Sequence, residues 1–195
     1  EKRSLLEDIF TSYFEKEVKS LADFKDISIL RELILLLMQR TGSKLHIGKL
    51  SSELGVSRPT IYSFISFLES TYFISLITPF SQNVDREVSG AKKVYLCDTG
   101  ILNHFSKVSS GSLLENAVFN NIKNLDTIHY YEKRTGKEVD FVLRKKLIAL
   151  EVKERGTIFD KKVVAGLSRL LKLKESYIIT KSFILERRFI IASDL

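Results

Sequence analysis

The sequence predicts a mixed α/β (α+β) protein with two domains, and three observations support that fold class. Apolar side chains recur at helical spacing through most of residues 1–72. From residue 112 onward the pattern indicates a helix, three strands, a helix and a strand, which is typical of a sheet covered by helices. The intervening residues 107–111 are small and polar, as in a linker. We therefore predict a helical domain over residues 1–106 and an α/β domain over residues 107–195.

The composition favours an intracellular protein with substantial hydrophobic cores. Hydrophobic residues make up 44% of the 195 positions, which is enough to fill one or two cores. The single cysteine, Cys97, excludes an internal disulfide and fits a reducing cytosol, so we expect a cytoplasmic location. The most apolar run, residues 29–38, is interrupted by Arg31 and Glu32 and is too short to span a bilayer, so no membrane association is expected.

The net positive charge comes entirely from the second half of the chain. The formal net charge is +7. Residues 1–106 contain 13 Lys and Arg against 13 Asp and Glu, whereas residues 107–195 contain 18 against 11. A basic domain points to a polyanionic partner, and DNA is the partner we expect, although a basic surface can also serve solubility alone.

Two helices are predicted before residue 40. The first covers residues 1–22, and the second covers residues 27–39. The second is apolar on nearly all sides, which predicts the centre of the first hydrophobic core, and Gly42 marks its end. The apolar positions of the first helix are Leu5, Ile9, Tyr13, Phe14 and Val18.

Residues 44–71 follow a helix-turn-helix pattern. Residues 46–54 form the first short helix, and Gly55 lies in the tight turn. Ser57 is the predicted cap of the second helix, with Pro59 in its first turn. The predicted buried positions of this second helix are Ile61, Phe64, Ile65 and Leu68.

Strands at residues 73–78 and 93–96, around a polar loop, would add the wing of a winged helix. In that fold the second helix of the pair presents side chains to a DNA major groove. Because its exposed face carries a single basic residue and this half of the chain is neutral, a structural or coupling role is favoured, and a free-standing winged-helix regulator is disfavoured. The groove-facing candidates are Arg58, Thr60, Tyr62, Ser63 and Ser66. The basic residues in or beside the wing are Arg86, Lys92 and Lys93.

The α/β domain is predicted to begin with a helix over residues 112–124, capped by Ser112, with Glu115 at the edge of its buried side. That buried side comprises Leu114, Val118, Phe119 and Ile122. A second helix covers residues 160–173 and directs inward Val163, Val164, Leu167, Leu170 and Leu171. The outer strands are predicted at residues 128–131, 177–180, 183–185 and 189–192.

The central strands of this domain place charged residues on one face. Residues 137–143 and 147–153 alternate with period two around a basic turn. If their apolar faces coincide, Asp140 lies opposite Glu151, and Lys153 shares their face, across a turn with an even number of residues. Two carboxylates placed together repel each other unless a divalent cation lies between them, so the pattern predicts a metal site. The alternative is a solvated strand face with an incidental Glu151–Lys153 ion pair.

Asp140, ten intervening residues and then Glu151-x-Lys153 resemble the PD-(D/E)xK nuclease signature, with Val139 in place of the proline. The wider chain resembles the region that follows the ATPase module in prokaryotic AAA+-type ATPases of the DUF4143 type. Further marks of that resemblance are residues 68–74, 93–100 and 111–116. The resemblance implies a restriction-endonuclease-like α/β core, in which Glu115 matches an acidic residue near the metal.

The resemblance implies a metal-dependent DNA nuclease domain attached to an AAA+-type ATPase. Asp140, Glu151 and Glu115 would hold Mg²⁺ or Mn²⁺, with the Val152 carbonyl as a further candidate, and Lys153 would orient the attacking water or offset charge. The alternative is a catalytically silent DNA-binding or regulatory module of that ATPase. The chain starts with glutamate rather than methionine and contains no G-x-x-x-x-G-K-[ST], so we expect the ATPase module to lie upstream and no ATP site here.

Overall fold

The computed structural model describes residues 2–12, 27–133 and 135–195. Helices and sheets are both present, in agreement with the mixed α/β class predicted from the sequence. Among the described residues, no helix has the length and apolar character needed to cross a membrane. The chain divides into two compact units, the first comprising Glu1–Ser75 and Val94–Val108 and the second comprising Leu76–Lys93 and Ser109–Leu195.

The first helix, α1 (Lys2–Ser12), differs from the prediction in the side chains that it buries. Leu5 and Ile9, which were predicted to face the core, are exposed, whereas Phe10 is buried. The ring of Phe10 lies 4.4 Å from that of Phe105, centroid to centroid, and this aromatic contact decides which face of the helix points inward. The predicted positions that lie outside the described residues are Tyr13, Phe14 and Val18.

The next three helices of the first unit follow the sequence prediction. α2 (Ile27–Gln39) is the most completely buried of them, and α3 (Ile47–Leu54) ends at Gly55, whose φ of +65° suits glycine. Ser57 then caps α4 (Arg58–Ser70) by accepting a hydrogen bond from the backbone N–H of Thr60 at 3.3 Å. The four predicted core positions of α4 are all buried, namely Ile61, Phe64, Ile65 and Leu68.

The segment after α4 contains more helix than the sequence predicted. The strands β1 (Ile74–Ile77) and β2 (Lys93–Leu96) form a two-stranded sheet at the expected positions. The polar loop predicted between them contains a helix, α5 (Val84–Ser89), because the Asn83 side chain caps its first turn. A further helix that was not predicted, α6 (Thr99–Phe105), follows β2.

Residues 76–93 lie with the second unit, although the sequence analysis placed them in the first domain. The reason is a pair of main-chain hydrogen bonds. The N–H of Phe80 donates to the Tyr130 carbonyl at 2.6 Å, and the N–H of Tyr130 donates to the Thr78 carbonyl at 3.1 Å. The Tyr130 hydroxyl also donates to the Ala91 carbonyl. The supposed wing loop is thus fastened along a strand of the second unit.

The second unit is organised around a five-stranded mixed sheet in the order β3-β4-β5-β6-β7. The first three strands are antiparallel neighbours, and β5, β6 and β7 are parallel. A helix, α7 (Ser110–Ile122), precedes the sheet, and α8 (Ile158–Leu170) connects β5 to β6. The strands are β3 (Ile128–Glu132), β4 (Glu138–Leu143), β5 (Ile148–Lys153), β6 (Glu175–Thr180) and β7 (Phe189–Ile191).

Three details of the second unit differ from the sequence prediction. Ser109 rather than Ser112 caps α7, because its hydroxyl accepts a hydrogen bond from the Ser112 N–H at 3.1 Å, so the helix begins inside the predicted linker. Leu170 of α8 is exposed because the helix ends there and Leu173 joins the core instead. Residues 183–185, predicted as a strand, form none, and the side chains of Phe183 and Leu185 are exposed.

The sheet is buried on both faces, which the predicted alternation of polar and apolar faces did not anticipate. On one face, Val142 and Ala149 pack with Val164 of α8. On the other, Phe141 contacts Phe119 of α7, with ring centroids 6.1 Å apart. Helices on both sides of the sheet explain why most positions of β4 and β5 are buried.

Candidate functional site

The β4–β5 hairpin has the register that its alternating pattern predicts. Phe141 pairs with Leu150, and Leu143 pairs with Ile148. Beyond Phe141 the two strands are joined by side-chain bonds of Asp140 and Glu151, and β4 is irregular at this point because its pairing with β3 shifts register between His129 and Tyr131. The turn consists of residues 144–147, an even number as expected, and β5 begins one residue later than predicted because Leu147 has a φ of +58°.

Asp126 holds this turn from a neighbouring loop. One of its carboxylate oxygens accepts hydrogen bonds from the N–H groups of Thr127 at 2.6 Å and Lys145 at 3.0 Å, and the other accepts one from Lys146 at 2.8 Å. Burial acts to raise the pKa of Asp126, but these N–H groups outweigh it and lower the pKa below its ordinary value. The ionised carboxylate therefore fastens the tip of the hairpin that carries the candidate site.

The carboxylates of Asp140 and Glu151 each bond to the opposite strand. The N–H of Asp140 donates to Glu151 Oε2 at 3.3 Å, and the N–H of Val152 donates to Asp140 Oδ2 at 2.8 Å. Both residues are 5% exposed. The two acids are therefore fixed side by side within the sheet, and the alternative of two solvated carboxylates is wrong.

This arrangement is electrostatically unfavourable for two ionised groups. Burial, and then the charge of Asp140, raise the pKa of Glu151 to about 8. Burial also raises the pKa of Asp140, and the nearby Lys93 ammonium opposes that rise. Buried carboxylates that repel each other are stabilised by a proton or a cation, which is the condition of a metal-binding or catalytic pair.

Lys153 lies at the open side of the pair. Its Nζ is 2.8 Å from Glu151 Oε1, and its side chain is 40% exposed. Burial acts to lower the pKa of Lys153, but the hydrogen bond to Glu151 and the charges of Glu151 and Asp140 outweigh it, so that the pKa is raised. Lys153 therefore presents a protonated ammonium group both to the pair and to solvent.

A second lysine, Lys93, approaches the pair from β2. It is 4% exposed, and its Nζ lies 3.4 Å from Glu138 Oε2. Burial acts to lower its pKa, but the charges of Glu115, Asp140 and Glu138 outweigh burial and raise it. Lys93 is thus a charged, buried neighbour of the predicted site residues.

The structure brings Asp140, Glu151 and Lys153 together, and it links Glu115 to them through Lys93. Glu115 lies on α7, partly buried, within electrostatic range of the Lys93 ammonium. Within the described residues, no three or more His, Cys, Asp and Glu side chains are grouped to hold a metal ion. Glu115 therefore belongs to the charged surroundings of the pair.

The predicted DNA-facing residues lie on the first unit. Arg58 and Tyr62 are exposed on α4, and the Arg58 guanidinium lies over Gly48 of α3. Thr60 is partly buried, and its hydroxyl lies 2.8 Å from that of Ser57 in the helix cap. Arg58 and Tyr62 therefore face solvent, as do the candidates Ser63 and Ser66, and Thr60 helps to begin the helix.

Sequence reasoning missed two members of the charged group. Lys93 was counted among the basic residues in or beside the wing, and it does begin β2, but its side chain is buried and does not add to the exposed basic surface. Glu138 was not among the predicted site residues. A signal was present for Lys93, since it directly precedes the apolar run Val94-Tyr95-Leu96, all of which is buried.

Comparisons with known proteins identify two families and one curated relative. Residues 1–112 match the model described as domain of unknown function DUF8612, and residues 110–188 match the one described as domain of unknown function DUF4143. An uncharacterized protein of Haemophilus influenzae is 25% identical over 152 residues, which cover 74% of this chain and 38% of that protein. No solved structure matches the chain. Because the first model covers more than half of its length, the chain belongs to the DUF8612 family and has a DUF4143 match in its second half.

Proposed function

We propose that the second unit is a PD-(D/E)xK nuclease-like domain that hydrolyses phosphodiester bonds of DNA with the help of a divalent cation. The observation that carries the proposal is the pair of buried carboxylates, Asp140 and Glu151, beside the partly exposed ammonium of Lys153. The sheet, in which three antiparallel strands are followed by parallel ones, supports that architecture, with a helix on each face.

The donor set suits Mg²⁺ or Mn²⁺, because both ions prefer carboxylate and carbonyl oxygens. Asp140 and Glu151 would hold the ion, and the Val152 carbonyl and Glu115 are the neighbouring candidates for further ligands. A bound divalent ion would activate water and offset the charge of the scissile phosphate. It would also relieve the repulsion that raises the pKa of Glu151.

The chain's own residues prepare this chemistry by position and charge. Hydrogen bonds from the N–H groups of Val152 and Asp140 fix the two carboxylates, so little reorganisation is needed when substrate binds. The Lys153 ammonium, held by Glu151 and partly open to solvent, can donate to a phosphate oxygen on which negative charge develops. Its raised pKa keeps it protonated at neutral pH.

DNA is the proposed substrate because the second half of the chain is basic. Residues 107–195 carry 18 Lys and Arg against 11 Asp and Glu. Phosphate contacts from such a surface supply the sequence-independent part of DNA affinity. These contacts would bring the DNA backbone to a site in which carboxylates outnumber ammonium groups.

The test uses the whole chain with supercoiled plasmid and single-stranded DNA, in Mg²⁺ or Mn²⁺ and in EDTA. The variants are Asp140→Asn, Lys153→Met and the matched control Lys146→Met, an exposed lysine in the hairpin turn. Cleavage by the parent and by the Lys146 control, which EDTA and both site variants abolish, supports the proposal. Equal cleavage by all four proteins, or cleavage that persists in EDTA, contradicts it.

A second candidate function is a silent DNA-binding or regulatory module for an AAA+-type ATPase upstream. It is favoured by the exposed face of α4 in the helix-turn-helix segment, where Arg58 and Tyr62 face solvent. Salt-sensitive DNA binding by all four proteins without cleavage supports this candidate. A weakening of that binding in Arg58→Ala, with Arg31→Ala of α2 as an exposed control, would assign it to α4.

A further inference from the structure

The ammonium group of Lys93 is buried among acidic side chains. Its Nζ lies 3.4 Å from Glu138 Oε2 and 5.3 Å from the centroid of the Tyr130 ring. A buried ammonium group is strongly destabilising unless charges and rings of this kind surround it. The charges of Glu115 and Asp140 act on it in the same direction as that of Glu138.

An ordinary surface ion pair does not explain this geometry. Glu138 has a side chain that is 41% exposed, and a lysine that served it alone could remain in solvent beside it. Lys93 is instead directed inward, within range of a carboxylate on α7 and of one in the predicted metal pair. Carboxylates outnumber ammonium groups around this pair, so the charge of Lys93 is needed for balance.

We propose that Lys93 is the built-in counter-ion of the carboxylate site, a positioning residue that keeps the acids together in the absence of metal. Its charge would also compete with a divalent cation for the same acids. The inference rests on the site of the proposed function and adds to it a residue that the PD-(D/E)xK pattern did not contain.

Lys93 comes from a part of the chain that is distant in sequence from the two acids. Asp140 and Glu151 belong to the part that matches DUF4143, whereas Lys93 belongs to the part that matches DUF8612. Residues 76–93 are fastened to β3 by the main-chain bonds of Tyr130 and by its hydroxyl. The charged group is therefore incomplete without a residue from outside the DUF4143 match.

The first test measures thermal unfolding of the whole chain in EDTA. The variants are Lys93→Met, Lys93→Arg, Glu138→Gln and the double variant Lys93→Met/Glu138→Gln, with the exposed neighbour Lys92→Met as the matched control. Removal of this buried counter-charge leaves buried acids uncompensated and should lower the Tm of Lys93→Met by about 10 °C. Lys92→Met should shift it by less than about 2 °C. Lys93→Arg should recover part of the loss because it keeps the charge.

The double variant separates charge from packing. If Lys93 balances the acids, Lys93→Met/Glu138→Gln is more stable than Lys93→Met, because one uncompensated carboxylate has been removed. If the lysine serves only as packing, the two losses add, and Lys93→Arg is as damaging as Lys93→Met. Either of those results overturns the inference.

The second test measures the Tm gain on adding Mg²⁺ or Mn²⁺. The gain should be larger for Lys93→Met than for the parent and for Lys92→Met, because a competing cation has been removed. An equal gain in all three refutes the competition. Failure of the nuclease proposal is a separate result, namely no cleavage of DNA by a parent protein whose stability still depends on Lys93 in EDTA.

Discussion

Asp140 and Glu151 are joined by a hydrogen bond from the main chain of one to the side chain of the other, with the Asp140 N–H 3.3 Å from Glu151 Oε2. The bond runs across the two strands and holds the carboxylate of Glu151 against the strand that carries Asp140. Both acids are buried, so solvent screens the interaction between their charges only weakly. The charge of Asp140 therefore affects the pKa of Glu151, and the first prediction follows from that effect.

Asp140→Asn should stabilise the metal-free protein at alkaline pH while abolishing divalent-cation binding. A carboxyl group whose pKa is higher in the folded state favours folding at low pH, and this contribution is lost as the pH rises. For Glu151 this contribution is lost as the pH rises from the ordinary pKa of 4.5 through the folded-state pKa of about 8. Removal of the Asp140 charge lowers the pKa of Glu151, so the variant should gain on the order of 1–2 kcal/mol at pH 8.5. Urea unfolding in EDTA at pH 5 and pH 8.5 measures this, and a variant that is less stable than the parent at both pH values contradicts it.

Lys153→Met should lower DNA cleavage by about 10²–10³-fold with little change in stability. The ammonium lies 2.8 Å from Glu151 Oε1, but the side chain is 40% exposed, so solvent screens the ion pair. Single-turnover cleavage rates and thermal unfolding give the two readouts. Lys153→Arg should keep part of the rate because it keeps the charge. A large loss of Tm in Lys153→Met would show that the residue is structural.

Asp126→Ala should destabilise the protein by about 1 kcal/mol, because the N–H groups of Lys145 and Lys146 in the turn and that of Thr127 lose an acceptor at an exposed site. The native contribution of Asp126 is present above the ordinary carboxyl pKa of 3.8 and is lost as the pH falls through its lowered folded value. Chemical unfolding at pH 7 measures the loss. Lys145→Ala, whose exposed side chain leaves the backbone N–H in place, is the control and should be close to neutral.

His129 should make the second unit sensitive to mild acid. Burial lowers the pKa of His129, and the charge of Arg144 acts in the same direction while that of Glu87 opposes it. When the pKa of a histidine is lower in the folded state, the unfolded state binds the proton first as the pH falls, and this favours unfolding. His129 should therefore not reduce the free energy of unfolding above pH 6.5, its ordinary pKa. That free energy should fall as the pH drops from there toward the lowered pKa of the folded state.

The measurement is urea unfolding of the parent and of His129→Asn at pH 7.5 and pH 5.5. The imidazole Nδ1 lies 2.9 Å from the Thr78 hydroxyl, and Nε2 is buried with no hydrogen-bond partner among the described residues. Asparagine can keep a bond to Thr78 but cannot protonate, so it should flatten the pH dependence even if it lowers stability overall. An unchanged slope in the variant would assign the acid sensitivity to another group.

The local pattern was enough to predict the hairpin and the pairing of its strands. Period-two alternation fixes which side chains share a face, and a shift of one residue would invert every position. The pairing of Phe141 with Leu150 follows from that alternation, whereas the contact of Asp140 with Glu151 is made by side-chain bonds beyond the last pair of the ladder. Caps at Gly55 and Ser57 were equally predictable, since they depend on the conformational freedom of glycine and on a hydroxyl that bonds to the next turn.

Burial and contacts between distant segments could be established only from the tertiary structure. Nothing in a period-two pattern shows that helices cover both faces of the sheet, that Asp140 and Glu151 are buried, or that burial raises the pKa of Glu151. Nor could local spacing bring Lys93 to Glu138, because the contact joins segments 45 residues apart in sequence.

The sequence by itself determined which residue types the candidate site contains and which of them lie on the two strands of one hairpin, because both properties are set by neighbours along the chain. The tertiary structure decided that the acids are buried, that Lys93 lies among them and that residues 76–93 belong with the second unit. These are consequences of desolvation and of contacts between distant segments, and neither is encoded in any single stretch of residues.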